Sequence, residues 1–256
     1  MTTTCSLDAV LSAADSLVLA ARWDVAVALL RSTSVSSPHD AARVAVAVAS
    51  AEVDRGFWTG SSGGDAIALA RKQLDDDPTL AWELDWMELR ADYSQALFGG
   101  TGTPEQAASL AATASALGAG APTPVARGWV EFYLGLIADN LAEDRASAPP
   151  HYAESLRLAT EDGDDLLASY PLRHLGDHAN DAGDVAGARE QWERSTSLRQ
   201  AAGFIPGALA QQLLLGVLAQ EAGDKQTAKA IGAEVERWAT ATGVSVLVPS
   251  AQALQG

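Results

Sequence analysis

Leu-Gly pairs recur along the second half of this chain at a nearly constant interval. Leu134-Gly135, Leu175-Gly176 and Leu215-Gly216 stand 41 and 40 residues apart. The last two are followed by Gly-Asp pairs, Gly183-Asp184 and Gly223-Asp224, and then by Ala188 and Ala228. A period of this length is one supersecondary unit that cannot bury its apolar face alone and must stack on copies of itself. The residue types identify the unit as a helical hairpin. A small residue inside a first helix lets a second helix approach closely. The next glycine closes that first helix in the left-handed conformation, and the aspartate caps the second. Ala188 then falls at the helix–helix contact, with Trp192 one turn later filling the groove.

Alanine supplies 52 of the 256 residues, which favours helix throughout. Only Val244–Val248 reads as a candidate strand. Helix start and stop signals divide the chain into twelve helices in six pairs. These are Asp8–Ala21 with Asp24–Arg31, His39–Arg55 with Asp65–Asp75, and Leu80–Phe98 with Glu105–Leu117. Pro124–Ala142 with His151–Thr160, Asp165–Ala182 with Val185–Ala202, and Gly207–Ala222 with Lys225–Thr242 complete the set. Short turns force antiparallel neighbours. The expectation is one all-α domain over residues 1–256, with residues 244–256 capping the end of the stack.

Leu172–Gly203 reads Leu-Arg-His-Leu-Gly, then Ala-Gly-Asp, Ala and Trp, and this pattern resembles the tetratricopeptide repeat. The interval near 40 and the ending Leu198-Arg199-Gln200-Ala201-Ala202-Gly203 are similar to repeats in the sensor regions of large actinobacterial transcriptional regulators. The resemblance is clearest over residues 129–243. Earlier, Arg22-Trp23-Asp24-Val25-Ala26 and Gly64-Asp65-Ala66 keep only the second half of the motif. The resemblance implies a right-handed solenoid of about six hairpins, each touching only its neighbours, with a concave face that binds protein.

In such repeats the first helix of each hairpin lines the concave face. Projected onto that pattern, the fourth hairpin offers Trp129, Phe132, Tyr133, Leu136, Asp139 and Asn140, and the fifth Tyr170, Arg173, His174, Asp177, Asn180 and Asp181. The sixth offers Leu213, Leu214, Val217, Gln220 and Glu221. The third offers Met87, Arg90 and Ser94, with Trp82 and Trp86 nearby. An aromatic wall beside a charged one suits a peptide with an apolar anchor, or a small molecule with an apolar body. The competing reading makes Trp129, Phe132 and Tyr133 core residues, and Arg173–Asp177 a surface ion pair.

The chemistry-bearing motifs are weak. His174 and His178 have the i, i+4 spacing of metal ligands, but Leu175 stands where a zinc-protease helix carries glutamate, so no metal or other cofactor is expected. On helical geometry His178 turns toward the next hairpin. Were the chain an enzyme, His174, Asp177, Tyr170 and Arg173 would be its acid–base group. The glycine-rich turns at 60–64 and 99–103 lack the Gly-Lys-Ser/Thr continuation of a phosphate loop.

A formal charge of −16 repels phosphate backbones, so nucleic acid is not an expected partner. A single cysteine, Cys5, fits a reducing compartment. Met1–Leu7 has no secretory pattern and no membrane span is evident, so a cytoplasmic location is expected. These features point to a non-catalytic module holding a basic or mixed-charge protein segment, with a small-molecule receptor or enzyme as the alternative. A homodimer through the end hairpins is compatible with either.

Overall fold

The computed structural model describes residues 5–61, 63–100, 102–142 and 144–256. Met1–Thr4, and the Ser62 and Thr101 positions of the two glycine-rich turns, lie outside the described residues. All the regular structure described is helical. The helices are α1 (Leu7–Leu19), α2 (Trp23–Ser32), α3 (Pro38–Thr59), α4 (Gly64–Arg71), α5 (Pro78–Phe98) and α6 (Pro104–Ala119). They continue with α7 (Pro124–Asn140), α8 (Ala148–Asp162), α9 (Asp165–Asp181), α10 (Val185–Ala201), α11 (Ile205–Glu221) and α12 (Lys225–Thr242). A 3-10 turn at Ser245–Leu247 and α13 (Val248–Ala253) end the chain. No helix among the described residues is long and apolar enough to cross a membrane.

Local sequence explains where these helices begin and end. Four start with a hydroxyl or carboxylate cap followed by proline at the first helical position: Ser37-Pro38, Asp77-Pro78, Thr103-Pro104 and Thr123-Pro124. Proline lacks only an N–H that the first turn leaves unused, and its fixed φ suits the helix. At the repeat turns Gly183 and Gly223 take φ of 85° and 82°, and Asp184 and Asp224 accept from the backbone N–H groups of Gly187 and Thr227.

The glycines inside the first helices are where the hairpins close. A Cβ built on Gly135 would lie 2.4 Å from the Tyr152 ring, and one on Gly176 would lie 2.5 Å from Trp192 Nε1. Each missing side chain is replaced by an aromatic ring from the facing helix. At Gly216 the space is taken by Leu254 from the C-terminal tail and Ile231 of α12.

The helices group into two compact units, residues Asp77–Ala202 and residues Met1–Asp76 with Gly203–Gly256. In the first, helices adjacent in sequence pack in succession from α5 to α10, and α7 also meets α9. Its main core joins Leu89 and Tyr93 of α5, Leu110 and Ala114 of α6, Phe132 and Ile137 of α7, and Tyr152 of α8.

The second unit is built from both ends of the chain. Trp58 of α3 meets Phe204 edge-on at 5.8 Å, and Ser245 Oγ donates to the Thr59 carbonyl at 3.1 Å. The expectation that each hairpin touches only its neighbours in sequence therefore fails in this unit. The apolar run Val244–Val248 is not a strand. It forms the 3-10 turn and the start of α13, which packs on α12.

Candidate functional site

Residues projected onto the fourth and fifth hairpins come together within the unit formed by 77–202, in a different arrangement from an open aromatic wall. Phe132 and Tyr133 are core, 3% and 7% exposed. Phe132 lies 5.3 Å from Tyr170 and 5.6 Å from His174, ring to ring, while Tyr133 meets Trp86 at 4.8 Å and Tyr93 at 5.3 Å. Trp129 is half-buried, edge-on to Tyr170 at 4.9 Å. The nearly unbroken apolar stretch Val130–Ile137 was the available signal, because a helix apolar on all sides belongs in a core.

The carboxylate of Asp139 gathers donors across three helices. The Tyr152 hydroxyl donates to Oδ2 at 2.9 Å, and His178 Nε2 lies 3.0 Å from the same oxygen. Burial, reinforced by the Asp139 charge, pushes the Tyr152 hydroxyl well above its ordinary value, so it remains a donor. His178 thus points back toward α7 rather than on to the next hairpin. A bound of 39 residues separates it from Asp139, which is why no local spacing rule revealed the pair.

His174 stacks on the Tyr152 ring at 5.0 Å with an interplanar angle of 20°. Burial, followed by the positive charges of Arg173 and Arg199, holds its pKa well below the usual histidine range. It is neutral at neutral pH and a weak proton acceptor. Its Nδ1 is 3.9 Å from Asp177 Oδ2, outside hydrogen-bond distance.

Asp177 is already engaged. It accepts from Arg173 at 3.0 Å and from the Trp192 indole N–H at 3.1 Å. Burial nevertheless raises its pKa, with the Arg173 charge opposing that shift. Tyr170 lies under the Arg199 guanidinium, 4.9 Å from the ring centroid. Arg199 is buried, and that burial pulls its pKa down to about 10.

The remaining projected residues lie apart from this cluster. Asn140 donates to the Tyr93 hydroxyl at 2.8 Å, Asn180 is half-buried, and Asp181 is exposed in an ion pair with Arg145. Met87 is buried and Ser94 Oγ donates back to the Arg90 carbonyl. In the other unit, Leu213 is core while Val217, Gln220 and Glu221 are exposed. Among the described residues no group of three or more His, Cys, Asp or Glu is placed to hold a metal ion.

An accessible concavity within this unit lies on the α5–α6 hairpin. A groove of about 580 Å³ runs between the two helices, with Leu89, Leu110 and Leu117 as its floor and Trp82 at one end. Asp85, Glu88 and Asp92 line the α5 side, and Ser109, Thr113 and Ala116 the α6 side. The Trp82 indole N–H donates to the Leu117 carbonyl at 3.0 Å, tying the hairpin at that end. The carboxylates follow an i, i+3, i+7 spacing beside Trp82, a pattern legible in the sequence.

No family model matches the chain, and no curated protein matches it. Among solved structures it is similar to BtubC (BKLC) from P. vanneervenii, at 18% identity and a TM-score of 0.47, over 93% of this chain and 92% of that one. It is also similar to a signal transduction ATPase with numerous domains (STAND) carrying a tetratricopeptide repeat sensor, from Pyrococcus horikoshii. That match has 14% identity and a TM-score of 0.48, and covers 97% of this chain but 39% of that one. These likenesses go no further than the helical fold.

Proposed function

We propose that this chain is a helical-repeat binding module that holds a polypeptide segment of a partner protein. The observation that carries the reading is the division of labour within residues 77–202. The carboxylates of Asp139 and Asp177 are both taken up by neighbouring donors. The α5–α6 hairpin, in contrast, presents an accessible groove with an apolar floor and polar edges. An apolar floor with polar edges anchors one or two side chains and holds a backbone by its rim. The acid–base alternative draws no support from the geometry, since His174 is neutral, stacked and out of hydrogen-bond reach of Asp177.

Selection of the purified full chain against a displayed library of random peptides tests this reading. Enrichment of one sequence family, with saturable binding by its synthetic members, is the expected outcome. Failure to enrich any peptide, together with a small-molecule adduct in native mass spectrometry of freshly purified protein, would replace it with the receptor reading.

A further inference from the structure

Two histidines one turn apart on α9 stand in opposite surroundings. His178 Nε2 faces both oxygens of the Asp139 carboxylate, at 3.1 and 3.0 Å. His174 has no such bond. Among the described residues neither of its ring nitrogens makes a hydrogen bond, and Asp177 Oδ2, one turn along the same helix, stands 3.9 Å from Nδ1. Ring contacts fix its place instead, the stack on Tyr152 and a tilted contact with Phe132 at 5.6 Å. Tyr152 is a fixed base for that stack, since it is fully buried and its hydroxyl donates to Asp139. The His174 side chain keeps 17% of its surface exposed, so protons from solvent reach it.

Charged and titratable groups surround this ring on every packed element. On α9 itself these are Tyr170, Arg173, Asp177 and His178. Helix α7 brings Asp139 to the hydroxyl end of Tyr152 on α8, α10 brings Arg199, and Arg145 stands in the turn before α8. Arg199 lies on the Tyr170 ring and Arg145 is paired with Asp181. A neutral imidazole suits an aromatic stack, whereas a protonated one carries two N–H donors that need acceptors, and the Tyr152 ring face offers none. Asp177 Oδ2 is the acceptor within reach: a shift of about 1 Å closes the gap to hydrogen-bond distance. That oxygen is held by Arg173 at 3.0 Å, while Oδ1 is held by the Trp192 indole N–H at 3.1 Å. Burial lowers the His174 pKa and raises that of Asp177, so one added proton is held between the two, and on either atom it supplies the hydrogen that the gap lacks.

We infer that His174 is a two-position switch driven by acid: uptake of one proton from solvent moves its ring off the Tyr152 face to Asp177 Oδ2 and releases the Arg173 guanidinium from that oxygen. The stack on Tyr152 joins α9 to α8, whereas a His174–Asp177 bond lies within α9. Acid therefore exchanges a contact between the fourth and fifth hairpins for one inside the fifth. The His178–Asp139 contact still ties α9 to α7, so the change is a local loosening of α9 from α8 with the helices intact. The switch is independent of the polypeptide-binding reading above.

The test is a nuclear magnetic resonance titration of the full chain labelled at histidine and arginine, run from about pH 7.5 down to the onset of unfolding seen by far-ultraviolet circular dichroism. His174→Phe, which keeps a ring on Tyr152 but takes up no proton, identifies the His174 signals by their loss. In the unchanged chain the upfield shift that the Tyr152 ring imposes on the His174 ring protons should disappear as pH falls. The Arg173 Nε–H signal should move with the same midpoint while the helix signal stays constant. Asp177→Asn, once shown to be folded, removes the anionic acceptor and should weaken proton binding at His174 about tenfold or more. Ring protons that keep their upfield shift until the helices melt overturn the proposal. So does an Arg173 signal that moves in His174→Phe as it does in the unchanged chain, since Asp177 would then titrate alone. A His174 midpoint unchanged by Asp177→Asn overturns it as well.

Discussion

The α9–α10 and α5–α6 hairpins belong to one compact unit, yet one is closed and the other open. In α9–α10 a glycine faces a tryptophan. Gly176 provides the space, Trp192 fills it at 3% exposure, and its indole N–H is shared between the Arg173 carbonyl and Asp177. Ser195 Oγ adds a bond to the Ser169 carbonyl across the same contact. In α5–α6 the tryptophan sits at the end of the hairpin, bonded to Leu117, and the stretch beyond it is an acidic wall opposite small residues. Complementary volume draws two helices together. A row of like charges keeps a surface hydrated and leaves a groove. The repeat architecture therefore sets the positions of the hairpins, and side-chain volume and charge decide which of them can accept something else.

The largest test of this contrast removes the two tryptophans in turn. Trp192→Ala should cost about 3–5 kcal/mol in a urea titration, because it leaves a buried cavity and takes a donor from Asp177. Trp82→Ala should cost clearly less, since that ring is only half-buried. Equal losses would show that α5–α6 is as tightly packed as its counterpart.

A smaller effect concerns pH and belongs to the closed hairpin. His174 has a folded-state pKa depressed by burial and by the positive charges of Arg173 and Arg199. The unfolded chain therefore binds its proton first, at about pH 6.5. Stability is whole above that value and declines as pH falls below it toward the folded pKa. Asp177, whose carboxyl is raised, acts with the opposite sign in the more acidic carboxylate range. His174→Phe keeps a ring against Tyr152 and should flatten the decline of melting temperature between pH 7 and pH 5. An unchanged slope in that variant would locate the acid sensitivity elsewhere.

The smallest expected change runs in the other direction. Asp92→Asn should raise the melting temperature slightly at neutral pH and low salt, by removing a partly desolvated charge beside Glu88. A drop instead would mean that the acidic wall helps hold the hairpin together.

Much of the local structure was legible beforehand. All twelve helices stand close to where caps, prolines and glycines place them, and Gly183-Asp184 and Gly223-Asp224 close and reopen helices as their residue types require. The glycine-for-aromatic exchange at Gly176 and Trp192 was likewise readable. The inward face of α7 was not. Phe132 and Tyr133 are neighbours about 100° apart on a helix that is apolar on nearly every side, so periodicity alone admits several rotations. Packing against α8 and α9, through Tyr152 and His174, selected the one observed.

By itself, then, the sequence determined what depends on interactions within a turn or two of chain: helix limits, caps, the hairpin unit and its period near 40 residues. Only the tertiary structure decided what depends on groups far apart in sequence. It brought His178 to Asp139 and Ser245 to Thr59, and it turned the projected aromatic wall into core. It also left the acidic wall of α5 facing an open groove. The physical reason is range: a cap or a helical hydrogen bond is specified by residues within about four positions. The rotation and partners of a packed helix are instead specified by the volumes and charges of every element around it.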